Sequence, residues 1–503
     1  IKIHRANISF IKTEISKIDK LNINYKKRLY LTLENYVLNN YYDYDLLKYL
    51  VIISNNINFI ANDIVNSILM NIDLKSFLSK SYDSYYENGD YIYCFLLLSS
   101  MKNNYDFKVY HYLYLISKKL NIKIYNDVDN KLLLDNKRKT IILLDAMNIE
   151  YDIYTAYEKG LGGTQLCYIN LATILSKNYN VILLKKSINR GIKLLNNIYL
   201  INYDSINDMC IYINNIRPNV LFYNYIEYGK ILNENIDKNI ILYMYEHITV
   251  YSHYEIKKKC DYYNYYDKIV FVSRDQLCKY KINCKINLDK NIVFYNRLSP
   301  VFHFNKMNDN ILESKDLSII YCSNPQRGLD NLIYIYPLLK EKYKSLKLRI
   351  YSSLEMYDLE DNDDLRVLFD NFRKMDGVTI EKCVSHMELV KEMNKSLLFV
   401  YPTYVEETFC NSCIEAAACG CSIVATKIGA LGEVLEDYGD LIDVDINNMS
   451  HPYYDIVNKD YIEKVVNKSS IIIEKYLNKC VELEDKLKKQ VSFIKKKIQL
   501  EIF

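Results

Sequence analysis

Glu407 and Glu415 stand eight positions apart inside Tyr401–Glu433, YPTYVEETFCNSCIEAAACGCSIVATKIGALGE. They follow an apolar run, Ser396-Leu-Leu-Phe-Val400, which reads as a buried strand stopped by Pro402. After them come a small-residue helix, Glu415-Ala-Ala-Ala-Cys419, the stop Gly420, a second buried strand, Ser422-Ile-Val-Ala425, and the loop Gly429-Ala430-Leu431-Gly432-Glu433. Strand, acidic loop, helix, strand and glycine loop in that order describe one edge of a ligand pocket in a parallel α/β sheet. Each part has a plainer reading when taken singly. Ser412-Cys-Ile-Glu415 matches a capping box, in which the acid only satisfies a backbone amide, and Glu407 on its own is a solvated loop acid.

Three other places carry groups suited to chemistry. Cys322-Ser-Asn-Pro-Gln-Arg327-Gly328 lies between a strand and a helix expected over Leu329–Leu339, at the strand end where open α/β sheets bind ligands. The fixed fork of donors on Arg327, beside a glycine and a helix start, suits a phosphate or diphosphate; the alternative is an ordinary turn with an exposed arginine. Gly160-Leu-Gly162-Gly163-Thr164 places three of the chain's 12 glycines in four positions before an apolar helix, where amides at the helix start favour an anion. It matches neither the dinucleotide fingerprint nor the Lys-containing phosphate loop, and the alternative is a plain turn. His247, in Tyr245-Glu246-His247, ends another expected strand and would face a cleft, although a lone histidine is more often structural. The cysteines Cys410, Cys413, Cys419 and Cys421 invite a metal reading, but five residues separate the two pairs, where structural zinc sites use about a dozen or more. Small apolar packing is the better account, and no other metal-ligand spacing is found.

The elements that must position these groups change along the chain. Residues 1–137 lack strand alternation, and apolar residues recur at helical spacing in Leu46–Ile53, Phe59–Met70, Tyr91–Met101 and Val109–Leu120. They are read as an all-helical N-terminal region, either a module for a protein partner or a helical appendage. From Lys137-Arg-Lys-Thr140 onward buried strands alternate with helices, at Ile141–Leu144, Val181–Leu184, Val220–Tyr223, Ile240–Tyr243 and Ile269–Val272. The polar segment 305–316 reads as a linker, after which the alternation restarts with Leu317–Tyr321, Leu346–Tyr351, Val378–Ile380, Leu397–Val400 and Ser422–Ala425. Buried strands separated by helices imply parallel βαβ units. The fold class expected is therefore α/β, two doubly wound Rossmann-like domains, 138–304 and 317–475, joined by the linker. A helical segment rich in Lys and Glu follows over Ile456–Lys497.

Composition bounds what such a protein does. A length of 503 residues implies two or three domains. With 50% apolar residues, 25% charged and a net charge of +3, the charges dispersed, the chain has no dedicated nucleic-acid or anionic-membrane surface. The strongest apolar run, Tyr91–Leu98, is half a membrane span, so no spanning segment is expected. Thirteen cysteines without a regular framework suit reduced thiols and a cytoplasmic location. The 51 Tyr and absent Trp, with abundant Ile, Lys and Asn, follow A/T-rich codons. Under that bias the few glycines and alanines are the informative residues.

At these positions the chain resembles a retaining, nucleotide-sugar-dependent glycosyltransferase of the two-Rossmann-domain (GT-B) fold, in glycosyltransferase family four. The family's E-x7-E pattern maps onto Glu407 and Glu415. Its A-x-x-x-G-x-x-V-x-A run maps onto Ala416 to Ala425, with Ile423 at the Val position. The G-G-x-x-E loop is similar to Gly429–Glu433, the basic residue and glycine before the donor-domain helix to Arg327-Gly328, and the glycine pair of the acceptor domain to Gly162-Gly163. The resemblance covers roughly residues 138–500 and leaves the first 137 outside it.

The resemblance implies transfer of a sugar from a UDP- or GDP-type nucleoside diphosphate sugar to a glycan or glycoconjugate acceptor, without a metal or other cofactor. It further implies that Glu415 holds the ribose hydroxyls and Glu407 the sugar hydroxyls. Arg327, with amides around Gly429, Ala430 and Leu431, would stabilise the diphosphate, with Gly162-Gly163 approaching from the other domain and His247 near the sugar. The C-terminal helix, 476–503, would cross back onto the first Rossmann-like domain. The chain departs from the pattern where a second basic residue would follow Arg327, and Lys427 is the substitute considered. Ala430 stands in place of the second loop glycine, and Val405-Glu406-Glu407-Thr408-Phe409 replaces the commoner E-G-F. A catalytically degenerate scaffold, acting through the helical N-terminal region, is the competing expectation.

Overall fold

A computed structural model describes residues 126–127, 132 and 134–498, apart from 188–190, 196, 250–259, 285–290, 304, 306 and 445–458. The helical region expected over 1–137 lies outside the described residues, save 126–127, 132 and 134–137, and of these Asn126–Asp127 form a short strand, not a helix. From Asp127 onward the chain forms one compact unit. It holds two sheets, whose central strands are apolar runs buried on both faces. Such strands need helices on either side, which is what parallel crossovers provide.

The first sheet contains β1 (Asn126–Asp127), β2 (Thr140–Asp145), β3 (Asn180–Lys186), β4 (Ile192–Leu195), β5 (Ile198–Tyr203), β6 (Val220–Tyr223), β7 (Ile241–Glu246), β8 (Lys268–Phe271) and β9 (Asn291–Val293). Their order is β1-β4-β5-β3-β2-β6-β7-β8-β9. Strand β2 is buried along its whole length and pairs in parallel with β3 and β6. The antiparallel pair β4–β5 was not anticipated from the sequence. Its strands are joined by a tight link in which Asn197 takes a left-handed φ of 63°, and a hairpin that short carries no crossover signal.

The second sheet has β10 (Asp316–Tyr321), β11 (Lys347–Tyr351), β12 (Val378–Glu381), β13 (Ser396–Tyr401), β14 (Ser422–Thr426) and β15 (Asp440–Ile442). All are parallel, in the order β12-β11-β10-β13-β14-β15. The strand order reverses direction between β10 and β13, and a crevice opens outside the carboxyl ends at such a switch point. Both β13 and β14 are fully buried. Helices used below are α1 (Gly163–Leu175), α2 (Arg274–Cys284), α3 (Leu332–Lys342), α4 (Asn411–Ala418), α5 (Lys459–Leu477) and α6 (Val481–Lys497).

The C-terminal segment differs from expectation in two ways. It is two helices rather than one, because Lys479 adopts φ 50° and the Cys480 amide folds back to the Lys475 carbonyl at 2.9 Å, a left-handed C-terminal stop. Helix α6 also seats its buried face on the second domain instead of returning to the first. Gln490 Nε2 donates to the carbonyls of Ala417 at 3.1 Å and Cys421 at 2.8 Å, and the Glu484 carboxylate accepts the amides of Ile311 and Leu312. The apolar stripe Leu483, Leu487 and Ile494 is buried, and α4 offers it a surface of small side chains to cover. Among the described residues no helix is long and apolar enough to cross a membrane.

Candidate functional site

A cavity of about 240 Å³ lies between the carboxyl ends of the two sheets, bounded from the first domain by Gly160, Gly163, Thr164, His247 and Asn296. The second domain contributes Ser323, Arg327, Tyr401, Glu407, Asn411 and Glu415. Four groups singled out from the sequence, Glu407, Glu415, Arg327 and His247, therefore meet on one surface although up to 168 positions separate them in the chain. The two domains are drawn together around it. Lys279 on α2 pairs with Glu406, Thr408 Oγ1 donates to the His247 carbonyl at 3.2 Å, and Lys159 lies 3.3 Å from Asp358. The Glu433 carboxylate accepts the first two amides of α2, from Arg274 and Asp275, each at 2.9 Å, and the Tyr295 hydroxyl at 2.6 Å. A carboxylate at a helix start meets unpaired amides and the positive dipole end.

Arg327 is aimed by a crowded turn. Its own amide donates to the Asn324 carbonyl at 3.0 Å, and Gly328 follows with φ +87°. A Cβ at Gly328 would fall 2.2 Å from the Pro402 carbonyl oxygen. Gly328 is therefore needed by the backbone crossing, which gives it a positioning role beside Arg327. The guanidinium lies 3.8 Å from Glu407 Oε1. That carboxylate holds it firmly protonated despite burial, and its Nη1 has no hydrogen-bond partner. Glu407 also accepts the Tyr401 hydroxyl at 2.7 Å. Tyr401 is stacked on Tyr321 and Phe399, which fixes the ring that fixes the acid. The strand expected from the sequence ends at Val400, one residue short of Tyr401, and nothing there showed that the Tyr401 hydroxyl reaches Glu407.

The loop 429–431 is placed otherwise than the resemblance implied. Gly429 has φ +60°, and a Cβ there would sit 2.1 Å from the Glu407 carbonyl oxygen. The Ala430 amide donates to that same carbonyl at 2.8 Å, so it is already engaged, and Ala430 and Leu431 are fully buried. None of the three lines the cavity. They brace the backbone of Glu407 from behind, and the Ala430 amide is taken up in doing so. Lys427 is likewise away from the cavity; its ammonium, half exposed, pairs with Asp443 at 3.1 Å. Arg327 is thus the only Lys or Arg among the described residues of the cavity wall.

Glu415 is 5% exposed and has neither a hydrogen bond nor an ion pair among the described residues. The capping box does not form: α4 begins at Asn411, its N-cap is Cys410 with φ 72°, and no side chain caps it. Ser412 is thereby inside the first turn and Glu415 beyond the reach of a capping contact. Burial pushes the Glu415 carboxyl up to about 8. The folded state therefore holds this proton more tightly than the unfolded chain, where the group titrates near ~4.3. Its contribution to stability is fully present below about pH 4 and is lost as pH rises through about 8. In the ligand-free protein the wild-type Tm, taken relative to that of Glu415→Gln, is expected to fall across this window. A difference that stays level from pH 5 to pH 9 (roughly the two sides of that titration) would contradict it.

The first domain supplies the opposite wall. Gly162 is the N-cap of α1, with extended backbone, and Gly163 and Thr164 at its first turn face the cavity. Little room is left for side chains: a Cβ on Gly162 would approach Gln165 Oε1 to 2.8 Å and Tyr357 of the second domain to 3.0 Å, and one on Gly163 would meet Asn411 Nδ2 at 3.3 Å. Gly162 itself is set behind the cavity wall. His247 is half-buried, its ring against Tyr245 with centroids 4.3 Å apart, and its Nε2 has no hydrogen-bond partner. Desolvation holds its pKa down to about 3, so the ring is neutral at any physiological pH. Among the described residues no group of three or more His, Cys, Asp or Glu is placed to hold a metal, and the cysteines of 410–421 are buried packing residues with free thiols.

Residues 305–451 match the family model of Glycosyl transferases group 1. No curated protein sequence matches the chain. Solved structures share the fold at low identity. Sucrose-phosphate synthase from Thermosynechococcus elongatus superposes with a TM-score of 0.52 at 14% identity, over 72% of this chain and 97% of that one. An Anabaena protein, HepE, in complex with UDP and glucose gives 0.52 at 12% identity, over 72% and 95%. A trehalose-6-phosphate structure from E. coli, bound with UDP-2-fluoro glucose, gives 0.51 at 10% identity, over 71% and 96%. The architecture is therefore the two-domain GT-B fold of glycosyltransferases.

Proposed function

We propose that this protein is a glycosyltransferase that moves a sugar, with retention, from a UDP- or GDP-type nucleoside diphosphate sugar onto a glycan or glycoconjugate acceptor. The observation that carries the reading is the convergence of Arg327, Glu407, Glu415 and His247 on one cavity at the switch point of the second sheet. Sugar transfer builds negative charge on the departing diphosphate. A preorganised, permanently charged guanidinium whose Nη1 makes no hydrogen bond lowers that barrier, and in this reading it does so without a metal. The unpartnered Glu415 takes the ribose hydroxyls, which would replace its missing hydrogen bonds. Glu407, held by Tyr401 and Arg327, takes sugar hydroxyls near the reacting carbon. Neutral His247 offers Nε2 to a further hydroxyl, and the first turn of α1 adds amides on the side of the anion. The match over 305–451 and neighbours solved with UDP support the donor class.

A screen of donor hydrolysis across UDP, GDP, ADP and CMP sugars tests this directly. We expect one UDP or GDP sugar to be turned over, with release of the nucleoside diphosphate. Absence of both turnover and saturable binding for every donor would overturn the proposal in favour of a binding or scaffold protein. One observation favours that second reading: Lys427 is committed to Asp443, which leaves Arg327 to face the diphosphate without a second cation. Calorimetric titration separates the two, because a scaffold shows no saturable heat with any nucleotide sugar.

A further inference from the structure

Asn296 has no part in the reaction as described, yet it is the most conspicuous unsatisfied group on the first-domain wall. It lies three residues after β9, is 5% exposed and lines the cavity. Its Nδ2 donates to Asn411 Oδ1 across the cleft at 3.1 Å, while its Oδ1 is buried with no partner. Asn411, the first residue of α4, is held in turn by a contact to Cys167 Sγ at 3.8 Å. One half of the amide is thus anchored, and the other half, buried beside the cavity, has no partner. Buried carbonyl oxygens are nearly always hydrogen-bonded, so an orphan on a cavity wall marks a place where the ligand brings the donor.

We propose that Asn296 is a recognition residue that accepts a hydrogen bond from a hydroxyl group of the bound nucleotide sugar. The chemistry narrows the partner: a carbonyl oxygen only accepts, which leaves the diphosphate out, and of the remaining donors on a nucleotide sugar the hydroxyls outnumber the base N–H groups. The shared chemistry is a hydroxyl, available from the ribose or from the transferred sugar. Because the other half of the amide is anchored on the second domain, the oxygen is in place only with the cleft closed, so hydroxyl recognition is tied to closure. This assignment rests on the donor class proposed above.

The test is calorimetric titration of the full chain with UDP-glucose and UDP, and with GDP-mannose and GDP, comparing wild type, Asn296→Ala and Asn411→Ala. Circular dichroism and thermal unfolding establish that both variants are folded. Asn411→Ala removes the bridge but leaves the Asn296 oxygen. Asn296→Ala removes both, and is expected to weaken the nucleotide sugar about tenfold more than Asn411→Ala does. A loss confined to the nucleotide sugar assigns the contact to the transferred sugar; an equal loss on the nucleoside diphosphate that is removed by the 2′,3′-dideoxy analogue assigns it to the ribose, and one that persists with that analogue places it on the base and overturns the hydroxyl. Equal weakening by the two variants would show a cross-cleft tether only and overturn the proposal, as would affinities for Asn296→Ala within about twofold of wild type. If wild type itself binds none of the four ligands, the reading of the cavity fails, and the role of Asn296 with it.

Discussion

Arg327→Ala is expected to lower sugar transfer by roughly a hundredfold or more at saturating donor, in a protein that remains folded. The size of the effect follows from how little else in the cavity is positive. Among the described wall residues Arg327 alone carries a permanent cation, so its loss leaves the departing diphosphate with backbone dipoles. It also leaves the Glu407 carboxylate, 12% exposed, with only the Tyr401 hydroxyl. Arg327→Lys restores charge but not the fork of donors, and intermediate rates are expected. Glu407→Gln keeps the shape and a group able to meet Tyr401 while removing the charge; its kcat should fall by a similar factor. Steady-state rates with the donor identified by the hydrolysis screen, alongside thermal unfolding, check both. Near wild-type rates in both variants would remove the assignment of this cavity as an active site.

Gly429→Ala is expected to be the most damaging change that touches no ligand. The new Cβ would lie 2.1 Å from the carbonyl oxygen and 2.7 Å from the amide nitrogen of Glu407, and Gly429 has φ +60°. Neither obstacle is a flexible side chain, so one of the two loops has to move. The left-handed conformation by itself costs ~1–3 kcal/mol for a residue with a side chain, and displacement of the Glu407 backbone adds to it. Because that backbone carries the acid, transfer should be lost well beyond what instability explains. Gly432→Ala is the matched control three positions on: its Cβ would find only Lys427 Cε, at 4.0 Å. Urea midpoints and transfer rates of the two variants should separate clearly, and two indistinguishable proteins would disprove the bracing role of this loop.

How much of this could be read from the chain alone differs from residue to residue. The central strands were legible because both sheets bury them on both faces, which writes continuous apolar runs such as Ser396–Val400 into the sequence. The hairpin β4–β5 and the edge strand β15 were not: β4 and β15 have only four and three residues, and β5, although buried, is entered through a tight antiparallel turn and not a helical crossover. Glu407, Glu415 and Arg327 were legible because each sits at the carboxyl end of a recognisable strand or in the helix just after it. The roles of Gly328 and Gly429 were only half visible. Their type showed that backbone comes close, while which backbone, Pro402 and Glu407 respectively, depends on loops 74 and 22 positions away.

The sequence by itself determined the α/β class, the two runs of alternating strands, and the presence of two acids, an arginine and a glycine loop at ligand-binding ends. These are local properties, carried by periodicity and by residues within a single βα unit. Tertiary structure decided the rest. It withdrew Glu415 from a capping role by starting α4 at Asn411, turned Lys427 outward to Asp443, and laid α6 on the second domain. It also set Asn296 against Asn411, 115 positions apart. The physical reason is that hydrogen bonds and ion pairs across a cleft depend on which surfaces are pressed together. That choice is made by the packing of whole domains and leaves no periodic trace in either segment.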